Sequence, residues 1–175
     1  MIIGGKVRLR EKRLADALNN YAWQTDPELA RLDAAPQLTV TFPQYLSSYA
    51  SELRYSLSTR RPFAIETLDG KHIGNCVYYG IDGVRGRAEL GIVIGDHDYW
   101  DKGYGADAVV TLVRHIFSQT KLERIYLKTL DWNIRAQKCF QKCGFTVYGH
   151  MVRDGFDFVL MEIYREQGEE RRTKV

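Results

Sequence analysis

The segment 88-AELGIVIGDHDYWDKGYGADAVVTLVRHIF-117 decides the fold, because it joins a strand to a helix through a loop that contains two glycines. Apolar side chains recur at helical spacing after this loop, so the sequence predicts a helix that starts near Gly103. The first N–H groups of a helix have no partner within it and carry partial positive charge. Gly103 and Gly105 lack the Cβ atoms that would keep a bulky anion away, and Lys102 adds a positive side chain. The segment therefore indicates either a phosphate site or a plain cap made by Asp101, and both remain open.

Two familiar phosphate-binding motifs do not account for this loop. A Walker loop needs Gly-Lys-Ser/Thr, whereas this chain has Gly105-Ala106-Asp107. The dinucleotide fingerprint G-x-G-x-x-G/A does match Gly103, Gly105 and Ala108. However, the seven residues 96–102 are too many for the tight strand-to-glycine turn that the fingerprint requires. We interpret the dinucleotide match as accidental.

The rest of the chain predicts a sheet with helices packed on it. Alternating apolar patterns, with Asp-Gly pairs at two turns, predict strands at 6–10, 62–67, 72–81, 87–94, 125–128, 145–148 and 156–164. Helical spacing and capping residues predict helices at 11–23, 26–32, 43–57, from 103 onward and at 133–143. This order indicates the α+β class, with a mixed, mostly antiparallel central sheet flanked by helices.

Length, charge and cysteine content limit the organisation and the partners. The 175 residues suit one domain at 1–165, and the charged stretch 166–175 is expected to be a frayed tail. A net charge of +3 is too small to indicate nucleic acid as a partner, and the apolar runs are too short for a membrane span. Three cysteines form no even disulfide set, which favours a cytoplasmic location, and no His or Cys spacing indicates a metal. A monomer and a homodimer both remain open.

The chain resembles the GNAT superfamily of N-acetyltransferases. Within it, the chain is most similar to the branch that includes the ribosomal-protein N-terminal acetyltransferases and many antibiotic and polyamine acetyltransferases. The resemblance spans residues 6–164 and rests on the order and spacing of KVRLREKRLADA, Trp23 with Asp26-Pro27-Glu28, AELGIVIG, YWDKGYGADAV and WNIRAQKCFQKCGF. It implies the GNAT fold.

The resemblance also implies a site for acetyl-CoA as a cosubstrate, with no metal. The backbone of residues 102–106 is expected to hold the pyrophosphate, and the main chain of residues 92–94 to pair with the pantetheine arm like an added strand. Asn133 is expected to orient that arm, while Arg135 either meets the 3'-phosphate of CoA or belongs to a solvated basic face. The expected cofactor residues are Ile92, Val93, Ile94, Lys102, Gly103, Tyr104, Gly105, Ala106, Asn133 and Arg135.

Two residues are candidates for proton transfer. Glu89 shares a strand face with Gly91 and Val93, and the family often places a water-linked glutamate here; the alternative is a solvent-facing or Arg87-paired carboxylate. The tyrosine that often protonates the leaving thiolate corresponds to Phe140, which cannot donate a proton. Tyr148 or water is then expected to be the donor.

These residues predict transfer of an acetyl group from acetyl-CoA to a primary amine of a small molecule or a protein N-terminus. The amine is expected to attack directly in a ternary complex, without a covalent enzyme intermediate. The alternative, motivated by Phe140, is a non-catalytic module that binds acyl-CoA as a sensor or interaction domain.

Overall fold

The computed structural model describes residues 1–166, so the predicted tail Glu166–Val175 lies outside the described residues from position 167 onward. Eight strands form one sheet: β1 (Ile2–Ile3), β2 (Val7–Arg10), β3 (Arg60–Thr67), β4 (His72–Asp82), β5 (Arg87–Ile94), β6 (Arg124–Leu130), β7 (Thr146–Arg153) and β8 (Phe156–Tyr164). The α-helices are α1 (Ala17–Gln24), α2 (Pro27–Leu32), α3 (Phe42–Arg54), α4 (Tyr104–Gln119) and α5 (Ile134–Lys142). Within residues 1–166, none of these helices combines the length and the apolar composition that a bilayer crossing requires.

The strands lie in the order β1-β2-β3-β4-β5-β6-β8-β7, and every neighbouring pair is antiparallel except β5 with β6. This confirms the predicted α+β class with a mixed, mostly antiparallel sheet. The parallel pair is joined only at its start, where Arg87–Glu89 pair with Arg124–Tyr126. Beyond Glu89 the two strands separate, and in residues 1–166 the rest of β5 pairs with β4 alone. The sheet is therefore forked, with one edge of β5 open.

The main core lies between α4 and the sheet. Leu112 and Ile116 are four residues apart on α4 and are fully buried, together with Ile125 and Leu127 of β6. Residues at i, i+4 share a face of a helix, and residues at i, i+2 share a face of a strand, so the two apolar faces meet. The Arg165 guanidinium donates to carbonyl oxygens at the end of α4 and just beyond it, which satisfies groups that have no partner within the helix. The buried face of α4 and these bonds at its C-terminal end hold the whole helix in place, and its first turn with it.

The predicted helix at 11–23 is wrong at its start. Arg13 is extended, Leu14–Asp16 form a 3-10 turn, and α1 begins only at Ala17. The Asp16 carboxylate accepts the N–H of Arg13 at 2.8 Å and two N–H groups of the buried Arg10 guanidinium at 2.8 and 2.7 Å. A tertiary ion pair therefore fixes the chain here, and helical periodicity alone does not reveal it.

The short helix α2 follows its sequence signals closely. The Asp26 side chain accepts the N–H groups of Glu28 at 2.8 Å and Leu29 at 3.3 Å, and Pro27 occupies the first helical position. This satisfies N–H groups that would otherwise have no partner at the helix start. The predicted helix 26–32 is confirmed, and Leu29 points from it into the interior with only 5% exposure.

The turns depart from the sequence expectations in two places. Gly70 takes a positive φ of 95° in the predicted Asp69-Gly70 turn, but after Asp82 the turn runs on to Gly86, which takes a φ of 63°. The predicted strand 145–148 is too short, because β7 continues to Arg153. Asp154 and Gly155 then make the hairpin, with φ of 52° and 79°, and they form a third Asp-Gly turn beyond the two that were predicted. Strand β1 was not predicted either.

Candidate active site

A cavity of about 980 Å³ occupies the fork between β5 and β6. Its walls are the open part of β5, the end of β6, the first turn of α4, one face of α5 and the end of α2. A large concave site where two parallel strands diverge, next to a helix start, is the kind of place where sheet proteins bind ligands. This cavity lies beside the glycine loop and residues 92–94, where the family resemblance implies the cofactor.

The loop before α4 presents unpaired backbone N–H groups to the cavity. Gly103 has a φ of 84°, a left-handed conformation that favours glycine, and no side chain caps the helix from this position. The N–H groups of residues 103–106 donate to no acceptor in the described part of the chain, and the first bond of the helix is that of Asp107 to Gly103. Asp101 points instead toward Arg135, at 3.7 Å. The interpretation of Asp101 as a plain cap is therefore wrong.

Three contacts hold this loop in place. The Trp100 indole N–H donates to the carbonyl oxygen of Ile94 at 2.7 Å, which ties the loop to the end of β5. The Asp107 carboxylate accepts backbone N–H groups from the turn before β2: Gly5 at 3.1 Å, Lys6 at 2.7 Å and Val7 at 3.0 Å. The Lys6 ammonium donates to the carbonyl oxygen of Lys102 at 2.9 Å and so brings a positive charge to the loop. The N–H groups are thus held in position before any anion binds.

Most of the residues expected to bind the cofactor do line the cavity. They are Ile92, Val93, Ile94, Gly103, Gly105, Ala106, Asn133 and Arg135. Lys102 does not line it, because its ammonium turns back to the carbonyl oxygen of Asp98 at 2.6 Å. Tyr104 also lies outside the lining and packs edge-on against Tyr99, with ring centroids 4.9 Å apart.

Helix α5 supplies polar and basic groups on the opposite wall. The Asn133 side-chain oxygen accepts the N–H of Ala136 at 3.2 Å, so Asn133 caps α5 as the sequence predicts. The Arg135 guanidinium lies over the Trp100 ring at 4.1 Å, and His97 stacks on the same ring, with centroids 4.1 Å apart. This stack joins α5 to the glycine loop and holds a cation at the rim. Lys138 and Lys142 line the same wall.

Glu89 stands at the point where β5 and β6 separate. Its carboxylate accepts from the Lys128 ammonium at 2.6 Å, and the side chain is only 16% exposed. The alternative of a solvent-facing or Arg87-paired carboxylate is therefore wrong, because the partner is on β6. The Tyr79 hydroxyl on β4 faces the same carboxylate; burial raises the pKa of Tyr79, and its hydrogen bond to Glu89 raises that pKa further. Tyr79 therefore stays protonated across the physiological pH range.

The two aromatic residues singled out for the leaving group lie in different places. Phe140 lines the cavity, is 8% exposed and packs edge-on against Phe145. Tyr148 is on β7, is 42% exposed and does not line the cavity. Its ring contacts the guanidinium of Arg124 at 4.8 Å, at the start of β6 and away from the fork.

Sequence reasoning missed four residues of this site: Lys6, Asp33, Tyr79 and Lys128. Asp33 follows the last residue of α2 and lines the cavity. Its side chain keeps contact with solvent, but desolvation by the surrounding protein raises the pKa of its carboxyl group. Tyr79 could have been found from alternation, because the Asp82-Gly83 turn places its predicted strand beside that of Glu89. Lys128 could not, because only the folded sheet places β6 beside β5. Lys6 could not, because only the folded chain brings β2 beside α4.

Comparison with known proteins places these features in a family. A family model described as an acetyltransferase (GNAT) domain matches residues 6–146. The uncharacterized N-acetyltransferase p20 of Bacillus licheniformis is 27% identical over 150 residues, which cover 85% of this chain and 83% of that protein. The spermine/spermidine N(1)-acetyltransferase of Bacillus subtilis (strain 168) is 29% identical over 100 residues, which cover 54% of this chain and 66% of that protein.

Solved structures share the fold. Spermidine N-acetyltransferase from Vibrio cholerae, in complex with CoA and spermine, superposes with a TM-score of 0.83 at 20% identity, covering 93% of this chain and 98% of that one. Aminoglycoside acetyltransferase AAC(6')-Ib, in complex with ribostamycin and coenzyme A, gives 0.81 at 22% identity, covering 97% and 99%. The family match spans most of the sequence and includes the fork and the glycine loop. The chain therefore belongs to the GNAT acetyltransferase family and is an acetyl-CoA-dependent N-acetyltransferase.

Proposed function

We propose that this enzyme transfers the acetyl group directly to a primary amine while acetyl-CoA and the amine are bound together in the fork. The observation that carries the proposal is the row of unpaired N–H groups at residues 103–106, which opens onto the same cavity as the free edge of β5. A diphosphate suits the first feature, because helix N-termini attract anions through N–H groups and the helix dipole. The extended pantetheine arm, which carries amide groups, suits the free edge of β5, because it can pair with that edge like an added strand.

Several cationic side chains support a highly phosphorylated cofactor. Lys6 lies beside the glycine loop, and Arg135 and Lys138 line the wall opposite it. The backbone of Lys102 belongs to the loop, although its side chain turns away. We assign the pyrophosphate to the start of α4, the pantetheine arm to residues 92–94 and Asn133, and the 3'-phosphate to the α5 side at Arg135. No metal is needed for this binding.

The acceptor amine must lose a proton to react. A side-chain amine with a pKa of about 10.4 is neutral in only about one molecule per thousand near pH 7.4, whereas about a fifth of an α-amine with a pKa of about 8 is neutral. Glu89 is the carboxylate at the fork that can take this proton, directly or through a water molecule. The amine nitrogen bonds to the thioester carbonyl carbon, the carbon–sulfur bond breaks, and the amine proton passes to Glu89.

The leaving thiolate needs at most modest help, because an alkyl thiol with a pKa of about 8.5 is a tolerable leaving group. Tyr79 is the phenol that lines the cavity beside Glu89, so we assign it as the donor to the thiolate. As Tyr79 gives up its proton, the proton that Glu89 took from the amine passes to the Tyr79 oxygen through the hydrogen bond between the two side chains. The place of Tyr148 outside the cavity argues against the same role for it. Phe140 then serves as an apolar wall of the site.

The test is to mix the protein with acetyl-CoA and a panel of amines and to follow the release of free thiol. The panel contains spermidine, kanamycin, short peptides and simple alkyl amines, since both small-molecule amines and protein N-termini are open as acceptors. Thiol release that requires an amine supports the proposal. A matched pair of variants, Glu89→Gln and Glu162→Gln, removes ion-paired carboxylates of similar exposure, 16% and 17%, and only Glu89 lines the cavity.

Phe140 motivates a second candidate, a module that binds acyl-CoA without turning it over. In that case acetyl-CoA binds tightly, as measured by calorimetry, and no amine in the panel releases thiol. Amine-dependent thiol release with any member of the panel rejects this candidate.

A further inference from the structure

A second cavity of about 460 Å³ adjoins the fork on the side of α1 and α2. The two cavities share six lining residues, so a molecule can extend from one into the other: Leu29, Asp33, Tyr79, Gly91, Ile92 and Val93. The loop, the open part of β5 and α5 account for the cofactor in the proposed function. The second cavity is left for the rest of the acceptor molecule.

Two cations, Lys12 and Arg60, line this second cavity together with one carboxylate, that of Asp33. Lys12 follows β2 and Arg60 begins β3, and neither side chain has a hydrogen bond or an ion pair within residues 1–166. Lys12 is half-buried, and burial lowers its pKa, with the neighbouring charge of Arg60 lowering it further. Of the carboxylates that act on Lys12, Asp16 is already bonded to Arg10, and Glu52 is exposed on α3. Arg60 is exposed, but holding its charge next to the half-buried Lys12 is unfavourable, and an anion bound between the two would offset that cost.

The strand register fixes how far these cations are from the reacting amine. Glu89 is directly opposite Tyr79 on β4, and Tyr79 is directly opposite Arg60 on β3. Neighbouring strands lie about 4.8 Å apart, so Arg60 starts about 10 Å from Glu89 across the same face of the sheet. Glu89 lies at the transfer end in an ion pair with Lys128, and Asp33 lines both cavities. Lys12 and Arg60 line only the second cavity, at the end far from Glu89.

From this arrangement we infer that the acceptor is a primary amine that also carries an anionic group, a carboxylate or a phosphate, about 10 Å from the amine. The inference rests on the proposed function, since it assigns the amine to the Glu89 end of the joined cavities. Lys12 and Arg60 bind the anionic group and set the acceptor specificity. A polycation such as spermidine would bring a further positive charge to these two cations and is expected to be a poor acceptor.

Triglycine and triglycinamide test the inference, because they differ in the terminal anion and share the same amine. Three residues extend about 10 Å, which matches the span from Glu89 to Arg60. We expect triglycine to have a kcat/KM about tenfold higher than triglycinamide, as for one hydrogen-bonded charge contact. The pair 8-aminooctanoate and 8-aminooctanamide is the second arm. If the anion is preferred equally in both pairs, the acceptor class is small amines that carry a carboxylate. If it is preferred only within the peptide pair, the acceptor is a peptide.

The variants Lys12→Gln and Arg60→Gln are expected to reduce the preference for triglycine at least fivefold, mainly through KM. They should leave the kcat/KM of triglycinamide and the affinity for acetyl-CoA unchanged. Arg60→Lys should keep most of the preference, because it keeps the charge. Lys121→Gln is the matched control, since Lys121 is an exposed cation that lines neither cavity.

A readout that needs no turnover separates this inference from the proposed function. Calorimetric titration of triglycine and triglycinamide into the protein saturated with CoA measures the preference for the anion by itself. Tighter binding of triglycine that is lost in the Lys12 and Arg60 variants supports the inference, even if no amine releases thiol and the proposed function fails. Equal binding of the two peptides, or a preference that both variants retain, overturns it.

Discussion

The indole N–H of Trp100 donates to the carbonyl oxygen of Ile94 at 2.7 Å, and this bond joins the last residue of β5 to the loop before α4. The two parts of the proposed cofactor site, the open strand edge and the glycine loop, are thereby held at a fixed spacing. The same ring carries Arg135 on one side and stacks with His97. Trp100 is therefore a positioning residue for both walls of the cavity.

Replacing Trp100 with Phe keeps an aromatic ring in the stack and removes the donor to Ile94. We expect the Kd for acetyl-CoA to rise about threefold to tenfold, which corresponds to one net hydrogen bond. Isothermal titration calorimetry measures the change. Trp132→Phe is the control, because the Trp132 ring also contacts an arginine, Arg31, but does not line the cavity. Wild-type affinity in the Trp100 variant would show that the bond does not position the loop.

Asp107 anchors the N-terminal turn to α4 through three backbone N–H groups. Asp107→Asn replaces one acceptor oxygen with an NH₂ group, so at least one of these N–H groups loses its partner. We expect the free energy of unfolding to fall by about 2 kcal/mol, as for a hydrogen bond to a charged group. Urea denaturation followed by circular dichroism measures this. The exposed Asp154→Asn should change stability by less than about 0.5 kcal/mol, and equal effects of the two variants would contradict the account.

Glu89 and Tyr79 are expected to affect turnover and not cofactor binding. Glu89→Gln should lower kcat by about 10² to 10⁴, the usual contribution of a positioned base. Tyr79→Phe should lower it less, because the thiolate is a tolerable leaving group. The assay is thiol release at saturating acetyl-CoA with the best acceptor of the panel. Glu162→Gln should retain nearly all activity, and an unaffected Glu89 variant would remove that residue from the mechanism.

His72 predicts how stability changes with pH. Its ring is 9% exposed and lies 3.5 Å from Asp16; burial lowers the pKa of His72, against the opposing charge of Asp16. Because the folded state binds the proton less readily than the unfolded state, stability is complete above pH 6.5 and falls as the pH drops below that value. Urea midpoints measured from pH 7.5 to 5 should decrease in the wild type. In His72→Gln the decrease should be smaller, and an identical slope in both proteins would disprove this cause.

The sequence predicted the class of fold because its strands and helices carry local signals. Strand β8 and helix α2 were found almost to the residue, since alternation and the Asp26-Pro27 cap are local features. The start of α1 was misplaced because a buried ion pair between Arg10 and Asp16 overrides the helical pattern. Helical periodicity does not report an ion pair with an arginine on the preceding strand, even though the two residues are only six apart in the sequence.

For the same reason, the backbone of the candidate site was predicted and its side-chain contacts were not. The backbone elements that line the cavity were expected from the glycine loop and from the family resemblance. The side-chain partners Lys128 and Lys6 were not expected, because Lys128 reaches Glu89 across the fork and Lys6 reaches the loop from the turn before β2. The position of Tyr148 also depends on how β7 is placed at the sheet edge, on the far side of β8 from the fork.

The central claim is that the backbone N–H groups at residues 103–106 bind the diphosphate of acetyl-CoA. Gly105 allows a direct test, because a Cβ at this position would meet only Ile94, at an ordinary 3.6 Å. Gly105→Asp and Gly105→Asn add side chains of the same size, and only the first places a negative charge at the loop. Calorimetry with acetyl-CoA, on variants whose thermal midpoints confirm folding, should give a Kd raised at least about 100-fold for Asp and distinctly less for Asn. An acetyl-CoA affinity in Gly105→Asp equal to that of the wild type would contradict the account.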